Sequence, residues 1–124
     1  MLGQQFQVRS EPLRLIWAVN GTDAQETRGA VLCALGQPHL FLQNLEQIGF
    51  IVQTQKLLQD HDPLTAGNLF EELGEGPIVV TAKDWIKLRE RRDLDLSRVI
   101  VALQRVSIEP EDEFMKWLRG RLMA

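Results

Sequence analysis

The sequence predicts an α/β fold: a three-layer α/β/α, Rossmann-like domain with a mostly parallel sheet of about four strands, preceded by a β arm. Short apolar runs alternate along the chain with segments of helical period, which is typical of β-α-β units. Glycine, proline and aspartate residues mark the boundaries between these segments. With 124 residues, of which 44% are hydrophobic, the chain can bury the core of one such domain.

The first predicted unit consists of a strand over 30–35, a helix, and a strand over 50–58. Pro38 suits the first turn of the helix, because an N–H group at that position has no partner within a helix. Gly49 follows the helix where a left-handed residue commonly ends one. The apolar residues of the helix share one face: Phe41, Leu42, Leu45 and Ile48.

The second half of the chain repeats this alternation. Thr65 is predicted to cap a short helix, because Leu69 and Leu73 are four residues apart and Gly74 follows them. The later elements are a strand over 78–81, a helix over about 83–91, a strand over 98–103 and a final helix that begins at Pro110 and includes Phe114, Leu118 and Leu122.

The first part of the chain departs from this pattern. The run 13–19 resembles a strand, but Asn20 and Gly21 form a turn signal and no crossover helix follows. We therefore expect residues 1–27 to form an extended arm or interdomain linker strand, and residues 28–124 to form the α/β domain.

Composition restricts the possible partners and compartment. The net charge of −3 argues against nucleic acid as a partner, because no strong positive field would attract phosphate groups. Cys33 lies within an apolar run and is predicted to be a buried, unpaired thiol. Polar residues interrupt the first dozen positions, and no stretch approaches the ~20 apolar residues that span a bilayer. We expect a cytoplasmic chain, with contact at a membrane surface left open.

Polar residues follow the predicted strands, where the loops of a parallel sheet converge and ligands usually bind. A histidine there can act as a base near neutral pH, carboxylates can orient it or hold Mg²⁺, and a lysine can contact an anion. The candidates are Gln37 and His39 after the first strand, Asp60, His61 and Asp62 after the second, and Thr81, Lys83 and Asp84 after the third.

Several of these residues also have a purely structural interpretation. Thr81 and Asp84 have the spacing of a helix capping box, and Asp62 before Pro63 is typical of a turn. His39 fits a surface position. The cations near the end of the predicted helix over 83–91 fit either a solvated helix end or contact with anionic lipid, and they are Lys87, Arg89, Arg91 and Arg92.

Three blocks follow one another in a particular order and spacing: Leu35-Gly36-Gln37-Pro38, then Asp60-His61-Asp62, then Val80-Thr81-Ala82-Lys83-Asp84. Together they resemble the carboxy-terminal half of the tetraacyldisaccharide 4′-kinase family. The resemblance covers 30–87 by these blocks and continues to 124 by the pattern of strands and helices alone.

The resemblance implies a P-loop kinase with two α/β domains and a small β linker, acting at the cytoplasmic face of the inner membrane of Gram-negative bacteria. It implies ATP and Mg²⁺ as cofactors of the full-length enzyme and none for this domain alone. It also implies two partners, a lipid A precursor disaccharide and an amino-terminal P-loop domain. These 124 residues contain no Gly-Lys pair and hence no Walker A pattern, so we expect no activity from this segment alone.

The resemblance also implies roles for individual residues. His61 corresponds to a histidine that pairs with an aspartate of the missing domain and activates the sugar 4′-hydroxyl, and Asp60 would orient it. The residues implied to line the interdomain cleft are Asp62, Thr81, Lys83, Asp84 and Gln37, and no metal ligand is assigned. Ala82 departs from the family, which has glutamate there, and Asn68 stands where an acidic residue is expected.

Two other hypotheses stay open at this stage. The chain is expected either to be half of such a kinase or to be a free-standing, non-catalytic binding or scaffold module derived from it, which Ala82 favours. A third hypothesis treats Asp60 and Asp62 as a Mg²⁺ site for phosphate chemistry, and it requires a further carboxylate nearby.

Overall fold

The computed structural model describes residues 13–104 and contains one five-stranded sheet in the order β1-β5-β4-β2-β3. β1 pairs with β5 antiparallel, and the other pairs are parallel. The elements are β1 (Arg14–Trp17), β2 (Arg28–Cys33), α1 (Pro38–Gln47), β3 (Ile51–Leu57), β4 (Ile78–Thr81), α2 (Ala82–Leu88), a 3-10 turn (Leu96–Arg98) and β5 (Val99–Leu103). The predicted α/β class with a mostly parallel sheet is confirmed.

The two helices cover opposite faces of the sheet. Side chains alternate along β2, so Val31 packs in the cluster that contains Phe41 of α1, whereas Leu32 packs in the cluster that contains Trp85 of α2. In the sheet, β3 lies next to β2 at one edge, whereas β5 lies next to β4 in the opposite direction. The strand order therefore reverses between β2 and β4, which is where a doubly wound sheet opens a crevice at its carboxyl ends.

The strand predicted over 13–19 is β1, and it is the fifth strand of the sheet. Its register with β5 places Arg14 opposite Leu103 and Trp17 opposite Ile100. The predicted turn follows directly, and the side chain of Asn20 accepts a hydrogen bond from the Thr22 N–H at 2.9 Å. The expected count of about four strands was one short, because sequence pattern does not reveal an antiparallel edge partner. The linker role of residues 1–27 stays a prediction.

The first predicted unit agrees closely with the structure. Pro38 occupies the first turn of α1, and the buried residues of α1 are Phe41 and Leu45. Gly49 has a φ of 85°, the left-handed conformation expected after a helix. The helix predicted from Lys83 is α2, which begins at Ala82 and ends at Leu88. The helix predicted from Pro110 lies outside the described residues.

The short helix predicted after Thr65 was wrong. The chain forms consecutive turns over 67–72 instead, with bonds such as that from the Leu73 N–H to the Phe70 carbonyl at 3.3 Å. Only six residues separate Gly67 from Gly74, too few for a helix that has to nucleate between two glycines. The apolar residues are nevertheless core residues, since Leu69 and Leu73 are 2% and 3% exposed.

Cationic side chains from other elements bind the carbonyl groups of the β3–β4 connection (residues 58–77). Backbone carbonyls without a partner in a helix or sheet need other donors when water is excluded. The donors and acceptors are Lys87 to Asp62 (2.7 Å), Arg91 to Leu64 (2.7 Å) and Ala66 (3.1 Å), Lys56 to Asn68 (3.1 Å), and Arg98 to Gly76 (3.0 Å) and Gly74. This connection is therefore ordered by side chains that lie far away in the sequence.

Candidate functional site

Asp60, His61 and Lys83 lie together at the carboxyl ends of β3 and β4. Asp60 Oδ2 is 3.5 Å from His61 Nε2, and Asp60 Oδ1 is 3.9 Å from Lys83 Nζ. The Asp60 carboxylate also lies over Gly36, where an added β-carbon would come within 3.3 Å of Oδ2. Loops after three different strands thus meet at this point, and the carboxylate can orient the imidazole while a cation balances its charge.

This trio is open to solvent. The His61 side chain is 80% exposed, and those of Lys83 and Asp60 are 53% and 43% exposed. Exposed ion pairs contribute little to stability, typically below about 1 kcal/mol, so the trio is not needed to hold the fold together. An accessible imidazole paired with a carboxylate is suited to accept a proton from a bound hydroxyl group.

Asp62 holds the loop rather than facing solvent with its carboxylate. Its Oδ1 accepts a hydrogen bond from the Leu64 N–H at 2.8 Å, an Asx turn of the kind expected before Pro63. His61 and Leu64 have φ angles of 71° and 56°, and the Leu64 side chain is fully buried. The described residues contain no group of three or more His, Cys, Asp or Glu side chains that could hold a metal ion.

Thr81 and Asp84 begin helix α2. The Asp84 N–H donates to Thr81 Oγ1 at 3.1 Å, and Thr81 Oγ1 donates to Asp84 Oδ2 at 3.1 Å. The same Oδ2 accepts from the Ala34 N–H at 3.1 Å, so Asp84 ties the start of α2 to the end of β2. Asp84 is fully buried, and its Oδ1 has no hydrogen-bond partner among the described residues. The buried Asp84 carboxylate therefore joins the ends of β2 and β4 through Ala34 and Thr81.

Cys33 lies beside Asp84 and is fully buried, as predicted. Burial, and secondarily the negative charge of Asp84, raises the pKa of the Cys33 thiol to about 11. A thiol with this pKa is protonated at neutral pH and is a poor nucleophile. Cys33 is therefore a packing residue.

Gln37 lines a groove of about 470 Å³ between α1 and the ends of β1, β4 and β5. Thr81 and Ala82 also line this groove, together with apolar side chains that include Leu35, Phe41 and Leu103. His39 lies in another groove, of about 490 Å³, beside Phe50 and Gln55. The structure therefore brings together Asp60, His61 and Lys83. Gln37 follows Gly36, which the Asp60 carboxylate covers, and lines the first groove.

From sequence, Lys87 and Arg91 fitted either a solvated helix end or contact with anionic lipid. In the structure both bind the loop that carries His61. Arg91 is 15% exposed and also donates from Nε to Asp93 Oδ1 at 2.8 Å, which lowers the pKa of the Asp93 carboxyl. A signal for this arrangement is present in the sequence. Lys83, Lys87 and Arg91 are spaced by four, which puts them on one side of a helix.

The glycine-rich run 74–76 does not form a phosphate-binding loop. This run offers carbonyl groups that bind Arg98, and it leads into β4 rather than into a helix whose N–H groups would face a phosphate. No helix in the described part of the chain is long and apolar enough to cross a membrane.

The doubly wound sheet, with a carboxylate–imidazole pair at its strand ends, defines an α/β domain of the class that binds ligands at that edge. Residues 3–123 match the sequence model of the family described as tetraacyldisaccharide-1-P 4′-kinase. The chain belongs to this kinase family, and the predicted family is confirmed.

Two individual proteins show how far the similarity extends. The tetraacyldisaccharide 4′-kinase of Tolumonas auensis is 27% identical over 86 residues, which cover 69% of this chain and 26% of that protein. A crystal structure of Aquifex aeolicus LpxK in complex with ATP superposes with a TM-score of 0.49 and 18% identity, covering 90% of this chain and 36% of that one. The chain thus spans about a quarter to a third of the length of these relatives.

Proposed function

We propose that this chain is the carboxy-terminal part of an ATP-dependent kinase that phosphorylates the 4′-hydroxyl of the tetraacyldisaccharide 1-phosphate precursor of lipid A. Family membership and the name of the Tolumonas relative support this reaction. The observation that carries it is the exposed His61–Asp60 pair at the carboxyl ends of the strands. In this proposal the enzyme works at the cytoplasmic side of the inner membrane, and the chain positions the acceptor sugar.

The chemistry assigned to this chain is proton transfer and orientation. Asp60 Oδ2 lies 3.5 Å from His61 Nε2 and orients the ring, so that Nδ1 is the nitrogen that takes the proton of the sugar hydroxyl as its oxygen attacks phosphorus. Lys83 keeps the Asp60 carboxylate in place. In the whole kinase the phosphoryl group comes from ATP with Mg²⁺, which an amino-terminal P-loop domain would hold.

The test is His61→Ala in the complete kinase, with His39→Ala as the matched control because His39 is also an exposed histidine. Loss of a general base lowers kcat by roughly 10²–10⁴-fold, so we expect that loss for His61→Ala and wild-type activity for His39→Ala. Steady-state kinetics with the disaccharide substrate measure both. Unchanged kcat in His61→Ala would remove the role of this histidine.

A second candidate function is a free-standing, non-catalytic module that binds a partner with the same edge of the sheet. Ala82 favours it, because this position lies in the groove beside Thr81 and carries no functional group. Immunoblotting of source cells separates the two candidates. A product well above 14.2 kDa supports the kinase, whereas a product of 14.2 kDa supports the separate module.

A further inference from the structure

We propose that Lys87 and Arg91 are positioning residues for His61, acting through the backbone of the loop over 60–66. This inference rests on the role proposed above for His61. Lys87 Nζ donates to the Asp62 carbonyl at 2.7 Å, and Arg91 donates to the carbonyls of Leu64 at 2.7 Å and Ala66 at 3.1 Å. Three carbonyl groups of one short loop are therefore bound by two cations from a single neighbouring segment.

The position of the His61 imidazole depends on this backbone. The side chain is 80% exposed, and its polar contact among the described residues is Asp60 at 3.5 Å, so no packing holds the ring in place. Moreover, His61 and Leu64 both have left-handed φ angles. Residues with a β-carbon keep such angles only where the surroundings impose them. The bonds from Lys87 and Arg91, with the Asp62 Asx turn, supply that constraint.

The geometry of α2 suits this task. Four residues of helix advance about 6 Å, and two residues of open chain reach up to about 6.7 Å, so steps of four along α2 match steps of two along the loop. The observed partners follow this relation in one direction: Lys83 meets Asp60, Lys87 meets Asp62, and Arg91 meets Leu64. The Arg91 N–H bonds the Leu88 carbonyl at 2.8 Å, which continues the winding past the end of α2.

Both residues of the Arg91–Leu64 contact are themselves held in place. Arg91 is held by Asp93 and is only 15% exposed, while Leu64 is fully buried in the cluster that also contains Trp85 and Leu88 of α2. The loop is therefore attached to α2 in two ways, by the packing of Leu64 in the core and by the hydrogen bonds that Lys87 and Arg91 donate. His61 lies between the first two of these attachments, at Asp60 and Asp62.

The experiment uses NMR on the 124-residue chain with the variants Lys87→Met, Lys87→Arg and Lys56→Met. Lys56 is the matched control, because its Nζ binds the Asn68 carbonyl of the same connection at 3.1 Å, beyond the His61 loop. We expect Lys87→Met to speed amide exchange over 61–66 by about 10-fold or more and to shift the His61 imidazole signals, with His39 unchanged. Lys87→Arg should restore both, and Lys56→Met should change neither.

Wild-type exchange and unchanged His61 signals in folded Lys87→Met would overturn the proposal, as would the same changes in Lys56→Met. If Lys87→Met does not fold, Lys87→Gln provides the comparison with Lys87→Arg. These NMR readouts need no kinase activity. Failure of the positioning role can therefore be told apart from failure of the catalytic role, which the His61→Ala kinetics test. In the complete kinase, Lys87→Met is expected to lower kcat about 10-fold or more with KM little changed, because a misplaced base still binds substrate.

Discussion

The connections after β2 and β3 each lead from one parallel strand to the next, but they have different structures. The first, over 34–50, forms α1, which pairs its backbone groups internally and buries Phe41 and Leu45. The second, over 58–77, forms turns, and its carbonyl groups bind lysine and arginine side chains from β3, α2 and the segment before β5. A helical connection depends on its own sequence, whereas the turn-rich connection depends on residues elsewhere.

This difference explains why the candidate site lies on the second connection. A helix offers few exposed positions with unusual backbone angles, whereas the second connection holds His61 and Leu64 in the left-handed region. The His61 side chain is exposed to solvent, whereas the Leu64 side chain is buried in the core. The cations that hold this conformation also couple the loop to α2.

The largest expected effect tests whether the turn-rich connection belongs to the core as fully as α1 does. Leu45 of α1 and Leu64 of the second connection are both fully buried. Replacing either by alanine should lower the free energy of unfolding by roughly 2–5 kcal/mol, because each leaves a cavity. Urea denaturation measures this, with exposed Leu40→Ala as the control. A loss below about 1 kcal/mol for Leu64→Ala alone would show that the second connection is only loosely attached.

A smaller effect concerns pH at the end of β2, where the first connection starts. Burial raises the pKa of the folded Cys33 thiol from 9.0 to about 11, so the folded state holds this proton more tightly than the unfolded state. The stabilisation is complete below pH 9 and is lost as pH rises toward 11, by about 2 kcal/mol. Urea unfolding across this range under reducing conditions should fall less steeply for Cys33→Ala. Equal slopes for both proteins would contradict this assignment.

The smallest expected effect compares the glycines that end helix α1 and the turns of the second connection. Gly49 and Gly74 have φ angles of 85° and 75° and open space around the position of a β-carbon. Alanine at either position should therefore cost about 1 kcal/mol through backbone strain alone. Gly67 also has open space but no left-handed angle, so Gly67→Ala should be neutral or slightly stabilising. Thermal denaturation of the three variants ranks them, and an equal cost at Gly67 would refute the strain explanation.

Local sequence signals were sufficient to predict an element whose structure depends on its own residues. Pro38, the spacing of Phe41 and Leu45, and Gly49 predicted α1 and its end. The same reasoning predicted that Leu69 and Leu73 are buried but assigned them to a helix. The two flanking glycines and the long-range donors decided that segment, and periodicity carries no information about such donors.

The candidate site was predictable to a similar degree. The rule that strand-end loops converge correctly anticipated that Asp60, His61 and Lys83 would be neighbours. It did not anticipate that Asp84 would be fully buried against the Ala34 N–H. The catalytic and cleft roles of these residues stay predictions.

The pairing of β1 with β5 has a consequence for the way the chain folds. These strands lie at opposite ends of the described chain, and they are neighbours at one edge of the sheet. Contacts between residues so distant in sequence slow folding, because a long loop must close before the pairing is gained. During synthesis Leu15 and Ile16, which become buried, have no partner strand until β5 has emerged. A chain cut before β5 would expose both β1 and β4 and should aggregate.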